Sequence, residues 1–447
     1  MKKLIKFYNT LLILAVTIFF QSCTKTVDLI AHNGNIYTVD ENFSKASAFA
    51  VKNGKFIDVG SDDILSKYKS ENIINLNGST VLPGLIDAHC HFYGLGLNQS
   101  VIDLTGTKSF SEIIDKISND DKKSVIRGRG WDQNDWSIKK FPNKSKLDLL
   151  YPETPIILER IDGHAYLVNQ KALDIAKIDV NTKSKNGTVV IENGKLTGVL
   201  IDGPMSLIDK AFGNISNQEK IDALLSAQDI CFKHGLTTVD DAGLSKEVIL
   251  LIDSLQKKNK LKMRVYAMIS NSTEDVNYFL EKGHIKTDLL NVRSVKVYGD
   301  GALGSRGATL KKPYSDDIHN HGKLVTDIQS IKKLATKLSV ANFQMNTHAI
   351  GDSTISILLN EYSKVLSNKK NPRWRIEHSQ IVDLNDINGY SEKILPSVQP
   401  THATSDMYWA EDRVGPKRIK GAYAYKDLLE RSKVIGLGTD FPVEKVN

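Results

Sequence analysis

Residues 81–92 read "VLPGLIDAHCHF", an apolar run that ends in His89, Cys90 and His91. Alternate side chains of a strand share one face, so the two imidazoles point the same way, about 6.6 Å apart at Cα, and Cys90 faces away. Imidazole nitrogens bind metal ions at about 2.0–2.1 Å, and two of them on one face can converge on one ion. Taken alone, such a pair is more often an ordinary hydrogen-bonded one, so the rest of the chain must decide.

From residue 83 onward, short apolar strands alternate with helical stretches such as residues 217–235 and 327–342. This alternation is typical of βα units around a parallel sheet. Eight segments qualify as strands, which predicts an α/β fold, a (β/α)8 TIM-like barrel. The eight segments are GLIDAHCHF, TTVDDAG, KMRVYAMIS, SVKVYGDG, QMNTHAIGD, WRIEHSQ, LPSVQPTH and KVIGLGTDFP.

The segments outside these strands predict further parts of the molecule. More than 100 residues separate the first two barrel strands, too many for a simple loop, so we expect an inserted subdomain at about residues 105–215 over the barrel mouth. Residues 23–82 are expected to form part of a small β-domain, with a hairpin at each of two Asn-Gly pairs. The barrel is then assigned to residues 83–447.

The N-terminus predicts export. A basic start, "MKKLIKF", precedes the apolar run "LLILAVTIFF" and then "QSC", so we assign residues 1–22 to a signal peptide. The position of Cys23 resembles a bacterial lipoprotein signal, in which this cysteine would anchor the mature chain to a membrane of the cell envelope. An uncleaved anchor is the alternative, and it also places the protein outside the cytoplasm.

Composition narrows the function classes. The 447 residues are 41% hydrophobic and carry a net charge of +7. The lysines are scattered, so the charge indicates a solvated surface, and nucleic acid is not an expected partner. Cys90 and Cys231 lie in apolar segments, which favours two buried free thiols over a disulfide.

Titratable residues end most of the predicted strands. The carboxyl ends of the strands form the active-site face of such a barrel, so these residues should meet there. This arrangement reverses the odds for the first His pair and predicts a metal site. The residues are His89 and His91, Asp240 and Asp241, Lys296 and Asp300, His348, His378, His402, and Asp440.

Roles follow from side-chain chemistry. His348 and His378 are the natural third and fourth metal ligands. Asp440 could take a proton from a metal-bound water as general base, or be a turn residue before Phe-Pro. Lys296 has two interpretations. Its neutral amine could add carbon dioxide to form a carbamate that bridges two metals about 3.5–4 Å apart, or its ammonium could pair with Asp300.

Taken together, the motifs resemble the amidohydrolase superfamily, in its amidohydrolase-3 branch, which includes proteins similar to N-substituted formamide deformylase. The resemblance runs from about residue 27 to the last residue. The motifs that carry it, in order, are VLPGLIDAHCHF, DGHAYLVN, LTGVLID, HGLTTVDDAG, VKVYGDGALGSR, THAIGD, RIEHSQ, QPTHATSD and GLGTDFPVE.

The resemblance implies a composite β-sandwich beside the barrel and one or two divalent ions, usually zinc. It assigns the first metal to His89 and His91, the second to His348 and His378, a carboxylated bridge to Lys296, and acid/base chemistry to Asp440. His164, Asp300 and His402 would lie near the small-molecule substrate, with a structural role for each equally open. Family members continue past the "DFP" motif, so the chain is expected to lack a C-terminal part.

Three functional hypotheses remain open at this stage. The leading one is metal-dependent hydrolysis of an amide-type, non-peptide C–N bond by an exported, membrane-anchored enzyme, with a homo-oligomer as a further expectation. A nearer rival keeps the fold and metals but cleaves a cyclic amide or an ester, or deaminates its substrate. The third is a lipid-anchored binding protein of the same fold without catalysis.

Overall fold

The computed structural model describes residues 24–99, 101–118, 125–184, 186–213 and 216–447. The chain divides into two compact units, Met1–Leu85 and Ile86–Asn447. The predicted signal peptide and the predicted lipid attachment at Cys23 lie outside the described residues and stay predictions. In the described ranges, no helix has both the length and the apolar character needed to cross a bilayer.

The first unit consists of short strands in three small sheets and one short helix, Ile64–Lys67. Its core is formed by buried Val27, Ile30, Ala48 and Ala50 together with Ile64 of the helix. In the four-stranded sheet, the strand order is Lys55–Gly60, Ala48–Lys52, Leu29–His32 and Ile73–Asn75. In the three-stranded sheet, the order is Lys45–Ala46, Asn35–Tyr37 and Thr80–Val81. The two-stranded sheet pairs Lys25–Thr26 with Tyr68–Lys69.

One of the two predicted hairpins is present in this unit. Asn53 and Gly54 both have positive φ, 52° and 71°, and join the antiparallel strands Ala48–Lys52 and Lys55–Gly60. That conformation is the one an Asn-Gly hairpin turn requires. The prediction at Asn33-Gly34 is wrong, because the strands on either side belong to different sheets and pair with other strands.

The second unit contains the predicted barrel, and the fold class is confirmed. Eight strands follow one another in the sheet in chain order, and neighbouring strands from the second to the eighth pair in parallel. The Asp440 N–H donates to the His89 carbonyl at 2.8 Å and the His91 N–H to the Phe441 carbonyl at 2.7 Å, which brings the last strand to the first. The barrel strands are Leu85–Cys90, Leu236–Leu244, Arg264–Ser270, Leu290–Tyr298, Gln344–Ala349, Trp374–His378, Ile394–Val398 and Gly436–Leu437.

Helices cover the barrel, and their ends follow local sequence signals. Ser216 and Glu219 form a reciprocal capping box at the start of Asn217–Lys233, and the Asp327 carboxylate caps Ile328–Val340. Both helices were predicted. The apolar faces of most of these helices pack on the strands in one large core, whereas Ala410 and Val414 belong to a second, smaller cluster. The described helices of this layer are Phe92–Asn98, Asn217–Lys233, Lys246–Lys257, Thr273–Lys282, Ile328–Val340, Asp352–Leu366, Pro400–Asp406, Ala410–Arg418 and Tyr425–Ser432.

The seventh barrel strand ends earlier than the sequence pattern suggested. It ends at Val398, and His402 lies in the helix Pro400–Asp406 instead of at the strand end. The reason is Pro400, whose fixed φ suits the first position of a helix and whose missing N–H ends the strand ladder.

Between the first two barrel strands the chain forms a separate six-stranded mixed sheet. It has its own apolar clusters, which include Trp131, Leu158 and Leu167 on one side and Leu173 and Leu200 on the other. In sheet order its strands are Ile102–Asp103, Ile126–Trp131, Ile156–Arg160, Ala165–Val168, Lys195–Asp202 and Gly187–Glu192, and its helices are Phe110–Ser118, Ser145–Leu150, Gln170–Ile175 and Met205–Phe212.

Candidate metal centre

His89 lies at the end of the first barrel strand and is fully buried. Its Nδ1 is 2.5 Å from Glu377 Oε2, so Glu377 fixes the ring and leaves Nε2 to face the barrel interior. Glu377 also accepts from Arg375 Nε at 2.7 Å. Burial, and then the charge of Lys296, lower the pKa of His89 to about 4, so at neutral pH it is the neutral imidazole that a metal requires.

His378 and Asp440 complete a compact group with His89. His378 Nδ1 lies 2.8 Å from Gln399 Oε1, which orients this second ring in the same way. The backbones of His378 and Asp440 are in the left-handed region, with φ of 72° and 61°. A non-glycine residue adopts this conformation when its surroundings hold it there, and such residues concentrate at functional sites.

The group has the donor set of a metal site. One ligand-type atom from each of His89, His378 and Asp440 lies within 4.8 Å of the other two, and all three residues are buried. Asp440 Oδ1 has no hydrogen-bond partner although it is buried. Burial opposes ionisation of Asp440, but the facing imidazoles, His91 first among them, hold its pKa well below the usual range. Two neutral imidazoles and one carboxylate suit a divalent ion.

The second predicted histidine of the first strand faces the same carboxylate. His91 Nε2 is 3.2 Å from Asp440 Oδ1, and His89 Nε2 is 3.4 Å from the same oxygen. The His-x-His pair therefore converges on one point, as the strand geometry predicts. Cys90 lies on the other side, in the apolar core.

His348 borders the group without joining its closest part. Its ring centroid is 4.5 Å from that of His378, and its Nε2 is 3.3 Å from the Gly301 carbonyl oxygen. Burial lowers the pKa of His348 well below its usual value, so this imidazole too is neutral. Its position suits the predicted role as a ligand on the His378 side.

Lys296 is buried at the same place, with only 1% of its surface exposed. Its Nζ is 3.3 Å from His89 Nε2. Burial lowers its pKa to about 8. No ion pair joins it to Asp300 among the described residues, because the Asp300 carboxylate accepts the backbone N–H groups of Thr309, Ile350 and Gly351. The alternative of a Lys296–Asp300 pair is therefore wrong.

A cavity of about 930 Å³ opens on this group. Its lining includes Asp440, His378 and Lys296 from the barrel strand ends. It also includes Arg129 and Glu159 from the six-stranded insertion sheet. The volume suits a small molecule, and the titratable groups lie at its wall.

A model of the amidohydrolase family matches residues 72–447. The chain belongs to this amidohydrolase family. A crystal structure of an uncharacterised metal-dependent hydrolase from Pyrococcus horikoshii OT3 is similar, with a TM-score of 0.75 and 27% sequence identity over 94% of this chain and 83% of that one. These similarities support the assignment of this chain as a metal-dependent hydrolase.

Two relatives by sequence show how widely the family is distributed. "Protein LONG AFTER FAR-RED 3" of Arabidopsis thaliana is 31% identical over 445 residues, which cover 94% of this chain and 76% of that protein. The N-substituted formamide deformylase of Arthrobacter pascens is 24% identical over 390 residues, covering 80% of this chain and 70% of that enzyme.

The remaining predicted site residues of this amidohydrolase fall in different places. His164 lines the cavity, and its Nδ1 is 2.6 Å from Asp202 Oδ1. Burial opposes its protonation, but the Asp202 carboxylate raises the pKa of His164 to about 9. His402 also lines the cavity, with Nε2 3.8 Å from Asp440 Oδ2. Asp300 is fully buried and is not among the described lining residues.

The two acidic residues predicted at the end of the second strand lie inside it, because the strand runs from Leu236 to Leu244. Asp240 accepts from Arg375 Nη1 at 2.8 Å, and Asp241 accepts the backbone N–H of Tyr93 at 2.9 Å. Neither makes the close approach to Asp440 that the histidines make. The second strand of this amidohydrolase therefore contributes to the site indirectly, by holding Arg375 and the backbone at Tyr93 in place.

Sequence reasoning missed the residues that orient the ligands. Glu377 precedes His378 by one position, in a strand buried along most of its length, and Gln399 lies just after the next strand. A charged residue inside a buried strand is unusual unless it is paired. That signal was present at Glu377 in "RIEHSQ", next to Arg375 and His378, and it could have identified a ligand-orienting carboxylate.

Proposed function

We propose that the chain is a metal-dependent hydrolase of an amide-type, non-peptide C–N bond in a small molecule. The observation that carries the proposal is Asp440, a buried carboxylate with an unpartnered oxygen that faces two imidazoles beside the cavity. The similarity to a relative named N-substituted formamide deformylase supports the choice of bond. A protein that only binds its ligand needs no general base, which is the role that we assign to this carboxylate.

The residues divide the work between them. When bound, a divalent ion such as zinc supplies Lewis-acid polarisation of the scissile carbonyl and activation of water. His89 and His378 would hold this ion, with His91 and His348 beside them. Asp440 takes the proton of the attacking water and passes it to the leaving nitrogen. Glu377 and Gln399 keep the imidazoles in position by occupying their Nδ1 atoms.

We further propose that Lys296 carries a carboxylate. The amine is buried beside His89, and its lowered pKa leaves a larger neutral fraction to react with carbon dioxide. The nitrogen forms a bond to the carbon of carbon dioxide and releases one proton, which gives an anionic carbamate suited to a second ion. We expect a carbamate carbon signal in the ¹³C spectrum of zinc-loaded protein supplied with ¹³C-bicarbonate, and no such signal in Lys296→Arg.

The test of hydrolysis uses zinc-loaded protein and a panel of N-formyl and N-acetyl amines, with release of the free amine as the readout. We expect Asp440→Asn to lower kcat on the best substrate by about 10³-fold, within the range of a lost general base. Asp222→Asn removes an exposed carboxylate from a barrel helix and should leave kcat unchanged. Metal content is measured on each variant.

Two results would contradict the proposal. One is full amide turnover by Asp440→Asn with its metal in place. The other is a folded, zinc-loaded protein that releases no amine from any member of the panel. Turnover of lactones or nucleobases by the same sample would favour the rival ester or deamination chemistry.

A further inference from the structure

A group of acidic residues lies beside Asp440 on the cavity wall and has no part in the hydrolytic steps described above. Asp406 ends the helix that follows the seventh barrel strand, and Glu444 follows the eighth. Both line the cavity together with His402. We call Asp406, Glu444 and His402 the acidic recess.

The two carboxylates of the acidic recess are held by neutral donors. Asp406 Oδ2 accepts from Gln380 Nε2 at 2.9 Å and from the Tyr423 hydroxyl at 2.8 Å. Glu444 Oε1 accepts from the Ser405 hydroxyl at 2.6 Å, and the same hydroxyl lies 3.4 Å from Asp406 Oδ1. Through the described part of the chain, no Lys or Arg nitrogen lies within 4.0 Å of either carboxylate.

His402 provides an independent sign of a missing ligand. Only 9% of the residue is exposed, and its Nε2 is buried without a hydrogen-bond partner. That nitrogen lies 4.0 Å from Glu444 Oε1 and 3.8 Å from Asp440 Oδ2, so it faces the space between the two carboxylates. A buried polar atom left unpaired is unfavourable, and it is satisfied when a donor occupies the space that it faces.

The charge of the cavity matches this local pattern. Carboxylate side chains outnumber those of Lys and Arg nine to four among the described lining residues. Elsewhere on the wall, carboxylates have positive partners, such as Asp202 with His164 and Glu159 with Arg129. At the acidic recess, the two carboxylates of the described wall have no Lys or Arg partner, and the histidine nitrogen nearest to Glu444 is His402 Nε2, at 4.0 Å. The local potential there attracts cations.

We propose that the acidic recess binds a protonated amine of the substrate, so that the hydrolysed amide belongs to a small molecule with an ammonium group. The ammonium would donate to Glu444 and Asp406 and to the free Nε2 of His402, and the amide would reach Asp440 and the metal ligands. The proposal rests on the proposed function, because it names the substrate class of that site.

Binding tests the inference without requiring turnover. The probes are N-(4-aminobutyl)methanesulfonamide and its neutral analogue N-pentylmethanesulfonamide, which resist hydrolysis, and calorimetry on the zinc-loaded full chain gives Kd. We expect the ammonium probe to bind at least about tenfold more tightly than the neutral one, as a charge-assisted contact implies. Glu444→Gln and Asp406→Asn should each remove most of that difference and leave the neutral probe unaffected.

The control is Asp412→Asn, which removes one exposed carboxylate outside the recess and should keep the preference. Equal Kd values for the two probes on the wild-type protein overturn the inference, and this result needs no variant to fold. A preference that survives both recess variants also overturns it. Neither probe is cleaved, so binding is tested apart from hydrolysis. A protein that prefers the ammonium probe but hydrolyses no amide would contradict the proposed reaction and still support ammonium binding at the acidic recess.

Discussion

At the scale of single residues, the site depends on backbone conformations that few side chains adopt. His378 and Asp440 have φ of 72° and 61°, each unfavourable by about 1–3 kcal/mol for a residue with a side chain. Hydrogen bonds hold them: the Asp440 N–H to the His89 carbonyl, and His378 Nδ1 to Gln399 Oε1. The backbone conformation and these hydrogen bonds therefore set the directions of the His378 imidazole and the Asp440 carboxylate.

Glu377 should determine metal affinity although it is not a ligand. Glu377→Gln removes the charge that orients His89 and leaves the ring less basic, so we expect metal affinity to fall by about 10–100-fold. Competition with a fluorescent chelator measures the change. Glu361→Gln, a largely buried glutamate on the helix Asp352–Leu366, is the matched control. Equal affinities for the two variants would show that Glu377 does not act through His89.

The chemistry-bearing residues were readable from the sequence because strand periodicity and strand ends are local properties. His89 and His91 contact one oxygen of Asp440, and the strand pattern alone predicts that all three residues lie at the same end of the barrel. Their supports were not readable. Which neighbour occupies an imidazole Nδ1 depends on the register between strands, and Gln399 reaches His378 across 21 residues.

At the scale of elements, two helices of the layer around the barrel come into close contact. Gly96 lies in Phe92–Asn98, which packs against Asn217–Lys233. A Cβ added at Gly96 would lie 1.9 Å from the Ala223 carbonyl oxygen. Backbone atoms cannot move aside as a side chain can, so only glycine allows this approach.

We expect Gly96→Ala to lower the free energy of unfolding by about 2–3 kcal/mol, the effect of overpacking against an unyielding neighbour. The midpoint of urea denaturation is the measurement. Gly94→Ala, in the same helix, is the control, because its nearest atom would be His91 Cβ at 3.3 Å. If the two variants unfolded at the same midpoint, the helix pair would have room to separate.

The elements themselves were largely predictable. All eight barrel strands lie where apolar runs indicated, because a buried parallel strand must be apolar along its length. The errors came from competition between local signals and distant pairing. At Asn33-Gly34 a hairpin signal was overridden by pairing of each strand with strands further along the chain. At Pro400 a helix begins directly after an apolar run, so the run was predicted as a longer strand that included the start of this helix.

At the scale of the whole molecule, contacts within the second unit join the insertion to the barrel, and no local sequence pattern predicts them. Arg413 Nη2 donates to Asn134 Oδ1 at 2.8 Å, between the helix Ala410–Arg418 and the insertion, 279 residues apart. Arg129 Nη1 donates to the Pro442 carbonyl at 2.8 Å. These contacts bring insertion residues to the cavity, and their geometry depends on the folded chain.

The thiols provide a probe of the intact second unit. Cys90 and Cys231 are free and fully buried in one core cluster, as predicted. We expect neither to react with iodoacetamide in the native protein and both to react after unfolding in urea, as mass spectrometry of tryptic peptides would show. Rapid native labelling, or a peptide linked through both cysteines, would contradict the core described here.

The joining of the first and last barrel strands also has a consequence for biosynthesis. Asp87 accepts the Thr439 hydroxyl at 2.7 Å across 352 residues, next to His89 and Asp440. Ribosomes add about 5–20 residues per second, so His89 and His91 emerge roughly 20–70 seconds before Asp440. During that interval the nascent chain holds only part of the ligand set and should bind metal weakly. Tight metal binding would then follow closure of the barrel.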